Sequence, residues 1–254
     1  MLSRRVIPVL LLSNGELVKT QAFSNPVYVG DPLNAVRIFN EKRVDEIMVL
    51  GVDETARVRG PDFSLISEIA AQCFMPLSYG GGIRDMADVQ RLQNEGVEKV
   101  VVRSAFFRDP AIVRRIAEHS GSQSVAVCID ISAKSPGTFE ILTPEPREYP
   151  SPDLARLVEN IQHMGAGEIV IQFVAHDGQM NGLDLAVTKS ISSVSDIPVV
   201  AVGGVGSLED IRAGLDSGAS AVGAGSFFVF HGPRRAVLIT YPSPSEISRL
   251  RSGV

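Results

Sequence analysis

An internal repeat limits the possible folds of this chain more than any other feature. Residues 75–106 read MPLSYGGGIRDMADVQRLQNEGVEKVVVRSAF, and residues 197–228 read IPVVAVGGVGSLEDIRAGLDSGASAVGAGSFF. Pro76 falls on Pro198, so the offset is 198 minus 76, or 122 residues. Without a gap, this offset also aligns Glu46 with Glu168, Gly81 with Gly203, Gly82 with Gly204, Asp88 with Asp210, Gly96 with Gly218 and Ser104 with Ser226. Such self-similarity predicts two related halves, which fit a closed barrel more readily than an open sheet.

Short apolar runs alternate with amphipathic stretches along the whole chain. Eight runs are typical of strands: VIPVLLL, DEIMVLGV, MPLSYGGG, EKVVVRS, SVAVCIDI, GEIVIQFV, IPVVAVGGV and SAVGAGSFF. Helical patterns lie between most of them, for instance over residues 31–43. Eight β-then-α units in about 230 residues predict an α/β fold, a (β/α)8 TIM barrel. A doubly wound open sheet is the alternative.

The predicted domain organisation follows from the repeat. A hydrophobic content of 44% in 254 residues is sufficient for one large core. We therefore expect a single barrel over residues 1–254, built from half-barrels at about 1–122 and 123–230, with a divergent C-terminal segment at 231–254.

In each half, one predicted strand ends in a glycine pair and the next ends in a small segment with a hydroxyl group. Glycines let backbone N–H groups approach an oxyanion closely, and the start of a helix adds a favourable dipole. The sequence thus predicts two phosphate-binding cradles, suited to a ligand with a phosphate at each end. Their residues are Gly81, Gly82, Arg103 and Ser104 in one half, and Gly203, Gly204, Gly225 and Ser226 in the other. The alternative is that these glycines only form tight turns.

Charge and composition exclude several function classes. A net charge of -5 argues against nucleic acid as the main partner. Cys73 and Cys128 lie in apolar contexts without a CxxC pattern, which indicates reduced core cysteines rather than a metal site or a disulfide. No apolar run approaches the length of a membrane span, and no signal peptide is recognisable. We therefore expect a cytoplasmic protein with no metal, no cofactor and no membrane partner.

Several segments together resemble a known family. They are RRVIPVLLL, GDPLNAVRIFNE, GGGIR, GVEKVVVRSA, CIDI, MGAGEIVI, HDGQMNGLDL, VAVGGVGSLED and GAGSFF. Over residues 1 to about 230 the chain is similar to the cyclase subunit of imidazole glycerol phosphate synthase, a duplicated half-barrel protein of histidine biosynthesis. The resemblance implies a subunit of an amidotransferase and lyase complex, with a phosphorylated small molecule as ligand. It also adds Asp177 and Gly178 to the predicted phosphate-binding residues.

The resemblance further implies an ammonia route. In that family a glutaminase subunit docks at the face formed by the amino-terminal strand ends, and ammonia passes through the barrel to the substrate. A ring of charges controls entry, and the matching residues here are Arg5, Glu46, Lys99 and Glu168. Each lies at or just before the start of an apolar strand, where an inward-pointing charge needs a partner. The alternative is four unrelated charges that flank strands.

The predicted reaction face departs from the family. Its cyclase step resembles general acid and base catalysis by two aspartates, one from each half. One of them matches Asp130, whereas its counterpart is Leu11. The repeat agrees, because laying residues 5–11 on residues 124–130 also places Leu11 opposite Asp130. Other pocket residues differ from the family at Gly51, Val101, Arg103 and Ala175, and the loop after the fifth strand reads TPEPREYPSPD, whereas Lys19 of the first loop is retained.

Three functions remain open from the sequence. The leucine-rich first strand and the C-terminal segment resemble cyclase paralogues associated with bacterial surface polysaccharides. This resemblance implies an ammonia-conducting subunit that serves sugar amidation, with a separate amidating enzyme as partner. A genuine imidazole glycerol phosphate synthase would need a substitute acid such as Asp177 or Glu16. A non-catalytic scaffold that binds a phosphorylated ligand is the third hypothesis.

Overall fold

The computed structural model describes residues 4–135, 138–144 and 153–252. Eight parallel strands form the wall of a closed barrel. They are β1 (Arg5–Ser13), β4 (Ile47–Gly51), β5 (Leu77–Gly80), β6 (Lys99–Val102), β7 (Val125–Ser135), β9 (Glu168–Phe173), β10 (Val199–Val202) and β11 (Ala221–Ala224). Closure occurs where β11 pairs in parallel with β1, with Arg5 opposite Ala221. The predicted TIM barrel is confirmed, and the open-sheet alternative is wrong.

Helices connect the strands on the outside of the barrel. They are α1 (Pro32–Lys42), α2 (Glu54–Arg59), α3 (Phe63–Gln72), α4 (Met86–Asn94), α5 (Ser104–Arg108), α6 (Ala111–Ser120), α7 (Leu154–His163), α8 (Leu185–Val194), α9 (Leu208–Asp216), α10 (Ser226–Val229) and α11 (Pro244–Ser252). Several begin at an aspartate whose carboxylate accepts a hydrogen bond from a first-turn backbone N–H, as Asp31 does for α1 and Asp153 for α7.

Hairpins extend the wall in both halves. After β1 the chain forms β2 (Glu16–Gln21) and β3 (Ser24–Gly30), and after β7 it returns as β8 (Thr138–Leu142). Leu11 pairs with Val18 of β2, and Asp130 pairs with Leu142 of β8. The sequence pattern did not predict these hairpins, because their short alternating runs are weak signals beside the barrel strands. They raise walls around the carboxyl-terminal ends of β1 and β7.

Two hydrophobic layers hold the barrel together. The larger lies between strands and helices and contains fully buried Phe39, Phe106 and Phe228. The smaller fills the inside of the barrel and consists of Ile7, Val9, Leu11, Val18, Met48, Val101, Ala126, Val170, Val200, Val202 and Ala221. The barrel interior is therefore apolar over most of its length. No helix in the described part of the chain is long and apolar enough to cross a membrane.

The C-terminal segment ties the top of the barrel to its base. After α10, a small hairpin forms from β12 (Phe230–His231) and β13 (Ala236–Val237). The hydroxyl of Tyr241 then donates to the carbonyl of Val6 over 2.9 Å. Arg251 of α11 pairs with Asp45 and donates to the carbonyl of Arg4 over 3.1 Å. The final helix is thereby anchored next to the first residues of β1 and β4.

Candidate functional site

A cavity of about 480 Å³ opens at the carboxyl-terminal ends of the barrel strands. This is the end at which TIM-barrel enzymes carry their active sites. Its floor contains Val9, Leu11, Met48, Val101 and Val202, which belong to the apolar interior of the barrel. Its rim contains both glycine pairs and the residues that follow β6, β9 and β11. The predicted phosphate-binding residues therefore surround one cavity.

The repeated glycines are required by close packing of the backbone. Gly81 and Gly82 have φ of 109° and 69°, and Gly203 and Gly204 both have φ of 105°. A Cβ atom at Gly81 would lie 2.2 Å from the carbonyl oxygen of Gly51, and one at Gly204 would lie 2.1 Å from that of Gly182. Tight packing thus explains why glycine is needed at these positions, whether or not a phosphate binds there.

The repeated aspartates hold the loops that follow the glycine pairs. The carboxylate of Asp88 accepts a hydrogen bond from the backbone N–H of Arg84 over 3.0 Å. Asp210 does the same for the N–H of Gly206 over 2.8 Å. Each contact joins residues four apart, so both halves use the same hydrogen bond from a backbone N–H to an aspartate to hold the loop at the rim of the cavity.

Asp130 reaches the cavity from β7 and is only 5% exposed. Nε of Arg103 lies 2.8 Å from its Oδ2 as an ion pair, although the N–H is not well aligned for a hydrogen bond. Nη2 of the same guanidinium donates to the carbonyl of Leu142 over 3.0 Å. Burial raises the pKa of Asp130 to about 6, and the charge of Arg103 limits that rise. The guanidinium of Arg103 thus occupies the carboxylate of Asp130, which would have to be free to act as a catalytic acid or base.

Leu11 occupies the position in the first half-barrel that Asp130 occupies in the second. It pairs with Leu50 of β4, just as Asp130 pairs with Gln172 of β9, so the strand registers place the two at equivalent points of the two halves. Its side chain is 9% exposed and lines the cavity. A leucine cannot transfer a proton, so position 11 itself supplies neither an acid nor a base to the cavity.

The two proposed substitute acids differ in position. Asp177 lines the cavity, and its Oδ2 accepts a hydrogen bond from the hydroxyl of Thr20 over 2.6 Å. Glu16 is exposed at the start of β2 and does not line the cavity. Ala175 and Gly51 contribute no side-chain polar group. Of these two acids, Asp177 is the one that lies in the cavity, as a substitute acid would have to.

Lys19 of β2 buries its ammonium group beside the second glycine cradle. The side chain is 4% exposed, and Nζ donates to the carbonyl of Val9 over 2.6 Å. A Cβ atom at Gly225 would lie 2.7 Å from this Nζ, so the absence of a side chain there admits the lysine. Burial lowers the pKa of Lys19 to about 8, against the opposing charge of Asp177.

The sequence analysis missed Gln172, a polar residue near the end of β9, where it follows the apolar run Ile169–Ile171. It lines the cavity, and its Nε2 has no hydrogen-bond partner among the described residues. The offset of 122 places it opposite Leu50, and this mismatch is the signal that could have identified it.

The four predicted gate residues come together at the other end of the barrel. Arg5 forms ion pairs with both Glu46 and Glu168. Nζ of Lys99 lies 3.0 Å from Oε1 of Glu46 and 2.7 Å from Oε2 of Glu168. The hydroxyl of Ser78, which the sequence analysis also missed, donates to Oε1 of Glu46 over 2.5 Å. The four residues form one closed network rather than four separate flanking charges, and we call it the charged ring.

The charged ring balances two cations against two buried carboxylates. Glu46 and Glu168 are each 3% exposed. Burial opposes ionisation of Glu46, but the charges of Lys99 and Arg5 and the bond from Ser78 together hold its pKa below the ordinary value. Burial opposes the charge of Arg5 as well, but the charges and hydrogen bonds of Glu168 and Glu46 raise its pKa above the ordinary value. No group of three or more metal-ligating side chains occurs within the described ranges.

Comparisons with known proteins agree over almost the full chain. The family described as Histidine biosynthesis protein matches residues 5–233. Three similar proteins carry the name "Putative imidazole glycerol phosphate synthase subunit". One, hisF3 of Vibrio vulnificus, is 46% identical over 97% of this chain and 95% of its own length. Another, hisF2 of Pseudomonas aeruginosa, is 42% identical over 97% and 99%, and HisF of Leptospira borgpetersenii is 41% identical over 97% and 98%.

Proposed function

Because this chain belongs to the family of cyclase-type imidazole glycerol phosphate synthase subunits, we propose that it is the ammonia-receiving subunit of a glutamine amidotransferase complex. Cyclase subunits of this family are enzymatic parts of a complex and normally pair with a glutaminase subunit. The observation that carries the proposal is the charged ring of Arg5, Glu46, Lys99 and Glu168, which closes the base of an apolar barrel.

The chemistry of ammonia suits this architecture. Neutral NH3 tolerates an apolar passage, whereas the ammonium ion would lose its hydration there at high cost. The ring is electrically balanced and bonded within itself, so it closes the passage without leaving a charge in need of a counterion. Lys99 is the most mobile candidate to open it, because its single-point charge is held by flexible methylene groups.

The reaction face supports a changed chemistry. Leu11 offers no proton, and Asp130 is held by Arg103 at 2.8 Å. In this proposal the ammonia serves a different acceptor from the imidazole precursor. We assign that acceptor to the sugars of a bacterial surface polysaccharide, with a separate amidating enzyme as partner, on the sequence resemblance described above.

Reconstitution with the glutaminase subunit from the same genome tests the conduit. Mixing should stimulate glutamine hydrolysis, and Lys99→Ala should lower the fraction of ammonia that reaches the carboxyl-terminal face severalfold. Lys42→Ala is the matched control, because Lys42 is exposed at the end of α1. Absence of stimulation together with unchanged transfer in Lys99→Ala would refute the conduit.

A genuine cyclase is the second candidate function. It is favoured by the position of Asp177 in the cavity, where its carboxylate would replace the acid that Leu11 does not supply. Complementation of a cyclase-deficient histidine auxotroph decides between the two. We expect no growth with the natural chain or with Leu11→Asp alone, because Arg103 still holds Asp130. Leu11→Asp combined with Arg103→Asn restores two free carboxylates and is the variant most able to support growth. Growth with the natural chain would overturn the proposal.

A further inference from the structure

We infer that two hairpins beside the mouth of the cavity form a docking surface for the enzyme that consumes the ammonia. The hairpins are those of β2 with β3 and of β12 with β13, and the surface consists of Val27, Tyr28, Val237 and Leu238. We call it the hairpin surface. The inference rests on the proposed function and deepens it, because it gives the ammonia-consuming partner a position at the end of the barrel opposite the charged ring.

Large apolar side chains are exposed to solvent on both hairpins. The four residues of the hairpin surface are between 49% and 59% exposed. Neighbouring residues of a strand point to opposite faces, so the exposure of both Val27 and Tyr28 shows that β3 stands clear of the barrel on both sides. Single exposed apolar residues are ordinary, whereas a group of them on two joined hairpins is typical of a protein interaction site.

Both hairpins are fastened to the loop that follows β9, at the rim of the cavity. The hydroxyl of Thr20 donates to Oδ2 of Asp177 over 2.6 Å, and the backbone N–H of Ala22 donates to the carbonyl of Asp177 over 2.9 Å. From the second hairpin, Nη2 of Arg235 donates to the carbonyl of Gly178 over 2.8 Å. The two hairpins are therefore held in place before a partner binds, which lowers the entropy cost of association.

The residues of the first hairpin favour side-chain contact over strand addition. Tyrosine is enriched among the residues that dominate interface energies, so Tyr28 is the expected anchor. β3 lies at the end of the strand order and contains Pro26, which has no N–H to donate at the sheet edge. A proline on an edge strand disfavours pairing with another strand, and thus pairing with a second copy of this chain.

The position of the hairpin surface selects the partner. Pro26 also lines the cavity, so a protein seated on the hairpins would cover the cavity mouth. Ammonia that left an uncovered mouth would be protonated in neutral water, as other amines are, and would lose its nucleophilic lone pair. Leu11 supplies no proton and Asp130 is paired with Arg103, so neither position is free to use the ammonia inside the cavity. The enzyme that holds the acceptor is therefore the occupant that this surface fits.

The C-terminal hairpin indicates a partner that differs from those shared by the family. The family match ends at residue 233, so Val237 and Leu238 lie outside it. The glutaminase is proposed to dock at the charged ring, at the opposite end of the barrel. The hairpin surface thus remains accessible in a complex that already contains the glutaminase.

Photo-crosslinking in the source cells tests this inference. Replacement of Tyr28 with p-benzoylphenylalanine should yield a crosslink to one protein, which mass spectrometry identifies. The captured protein is the partner only if, after purification, it completes a reaction with this chain and the glutaminase. That reaction is transfer of 15N from amide-labelled glutamine to a product in a metabolite extract of the same cells. Tyr28→Ser should weaken binding of the purified enzyme by about tenfold or more, measured by interferometry.

Val194→Ser is the control, because Val194 is similarly exposed but lies at the end of α8, away from both hairpins. It should leave the affinity for the captured enzyme unchanged. A crosslink to a second copy, to the glutaminase or to no protein would overturn the docking surface, as would equal affinity of the natural chain and Tyr28→Ser. Tyr28→Ser should still stimulate the glutaminase, so a failure of the conduit, seen as no stimulation by the natural chain, is distinguishable from a failure of this surface.

Discussion

The two ends of this barrel differ in how completely their buried polar groups are paired. At the amino-terminal end, two carboxylates and two cations satisfy one another in a closed ring, with Glu46 and Glu168 each 3% exposed. At the carboxyl-terminal end, Asp130 has Arg103 as its cation, and the amide of Gln172 has no partner among the described residues. A satisfied network stabilises one conformation, whereas an unsatisfied one retains the capacity to bind a ligand.

This difference in pairing separates the roles of the two ends: the charged ring stabilises the barrel, and the cavity has polar groups left to contact a ligand. The ring brings together the four residues Arg5, Glu46, Lys99 and Glu168 in one network, while the cavity has Leu11 on one wall and the Arg103–Asp130 ion pair on another. The apolar interior of the barrel lies between the charged ring and the cavity, so the two ends do not share side-chain contacts through it. Substitutions at the ring should change stability most, and those in the cavity should change pH dependence and binding.

The largest effect is expected from Glu46→Leu. This change leaves Arg5 and Lys99 to share Glu168, and breaking a buried ion network in this way costs about 3–5 kcal/mol. Urea unfolding at pH 7 measures the loss. Because the pKa of Glu46 is held low, its contribution is present above the unfolded pKa and is lost as pH falls through the folded pKa. The gap between variant and natural chain should therefore narrow in acid.

The control for this experiment is Glu41→Leu, an exposed position on α1. Its stability should stay within about 0.5 kcal/mol of the natural chain. A similar small loss for Glu46→Leu would show that the ring is not a satisfied network and would remove the contrast between the two ends.

The second effect concerns Asp130→Asn. Because burial raises the pKa of Asp130 to about 6, its contribution to stability is present below the unfolded pKa and is lost as pH rises through 6. A shift of this size corresponds to about 2–3 kcal/mol. Relative to the natural chain, Asp130→Asn should thus gain stability between pH 4 and pH 7, measured by urea unfolding across that range.

Leu11→Ala serves as the control for the pH series, because it alters the same cavity without adding or removing a titrating group. Its stability curve should run parallel to that of the natural chain. If the curve of stability against pH for Asp130→Asn also runs parallel to that of the natural chain, Arg103 fully compensates the burial of Asp130. The charges of the cavity would then be as completely paired as those of the charged ring.

The smallest effect is expected from Tyr241→Phe, which tests the tie between the C-terminal segment and the base of the barrel. Loss of the hydrogen bond to the carbonyl of Val6 should cost about 1 kcal/mol. Tyr28→Phe is the matched control, because Tyr28 is 59% exposed on β3. Equal stability of the two variants would show that the ring end does not depend on this segment.

The site was only partly predictable from the sequence. The glycine pairs, Asp130 and Leu11 could be located because the duplication supplies an internal comparison for each of them. Gln172 and Ser78 escaped notice, since a single polar residue in an apolar strand has no local pattern. The loop over residues 145–152, which the sequence analysis noted as divergent, lies outside the described residues.

By itself, the sequence determined the eight-strand barrel and the equivalence of its halves, because periodic burial and a constant offset are properties of the chain alone. Only the tertiary structure decided how the charges pair. Whether Arg103 contacts a ligand or Asp130, and whether four flanking charges form one ring, depends on contacts between strands far apart in sequence. Electrostatic energy depends on distance and burial, and both are set only when the barrel closes.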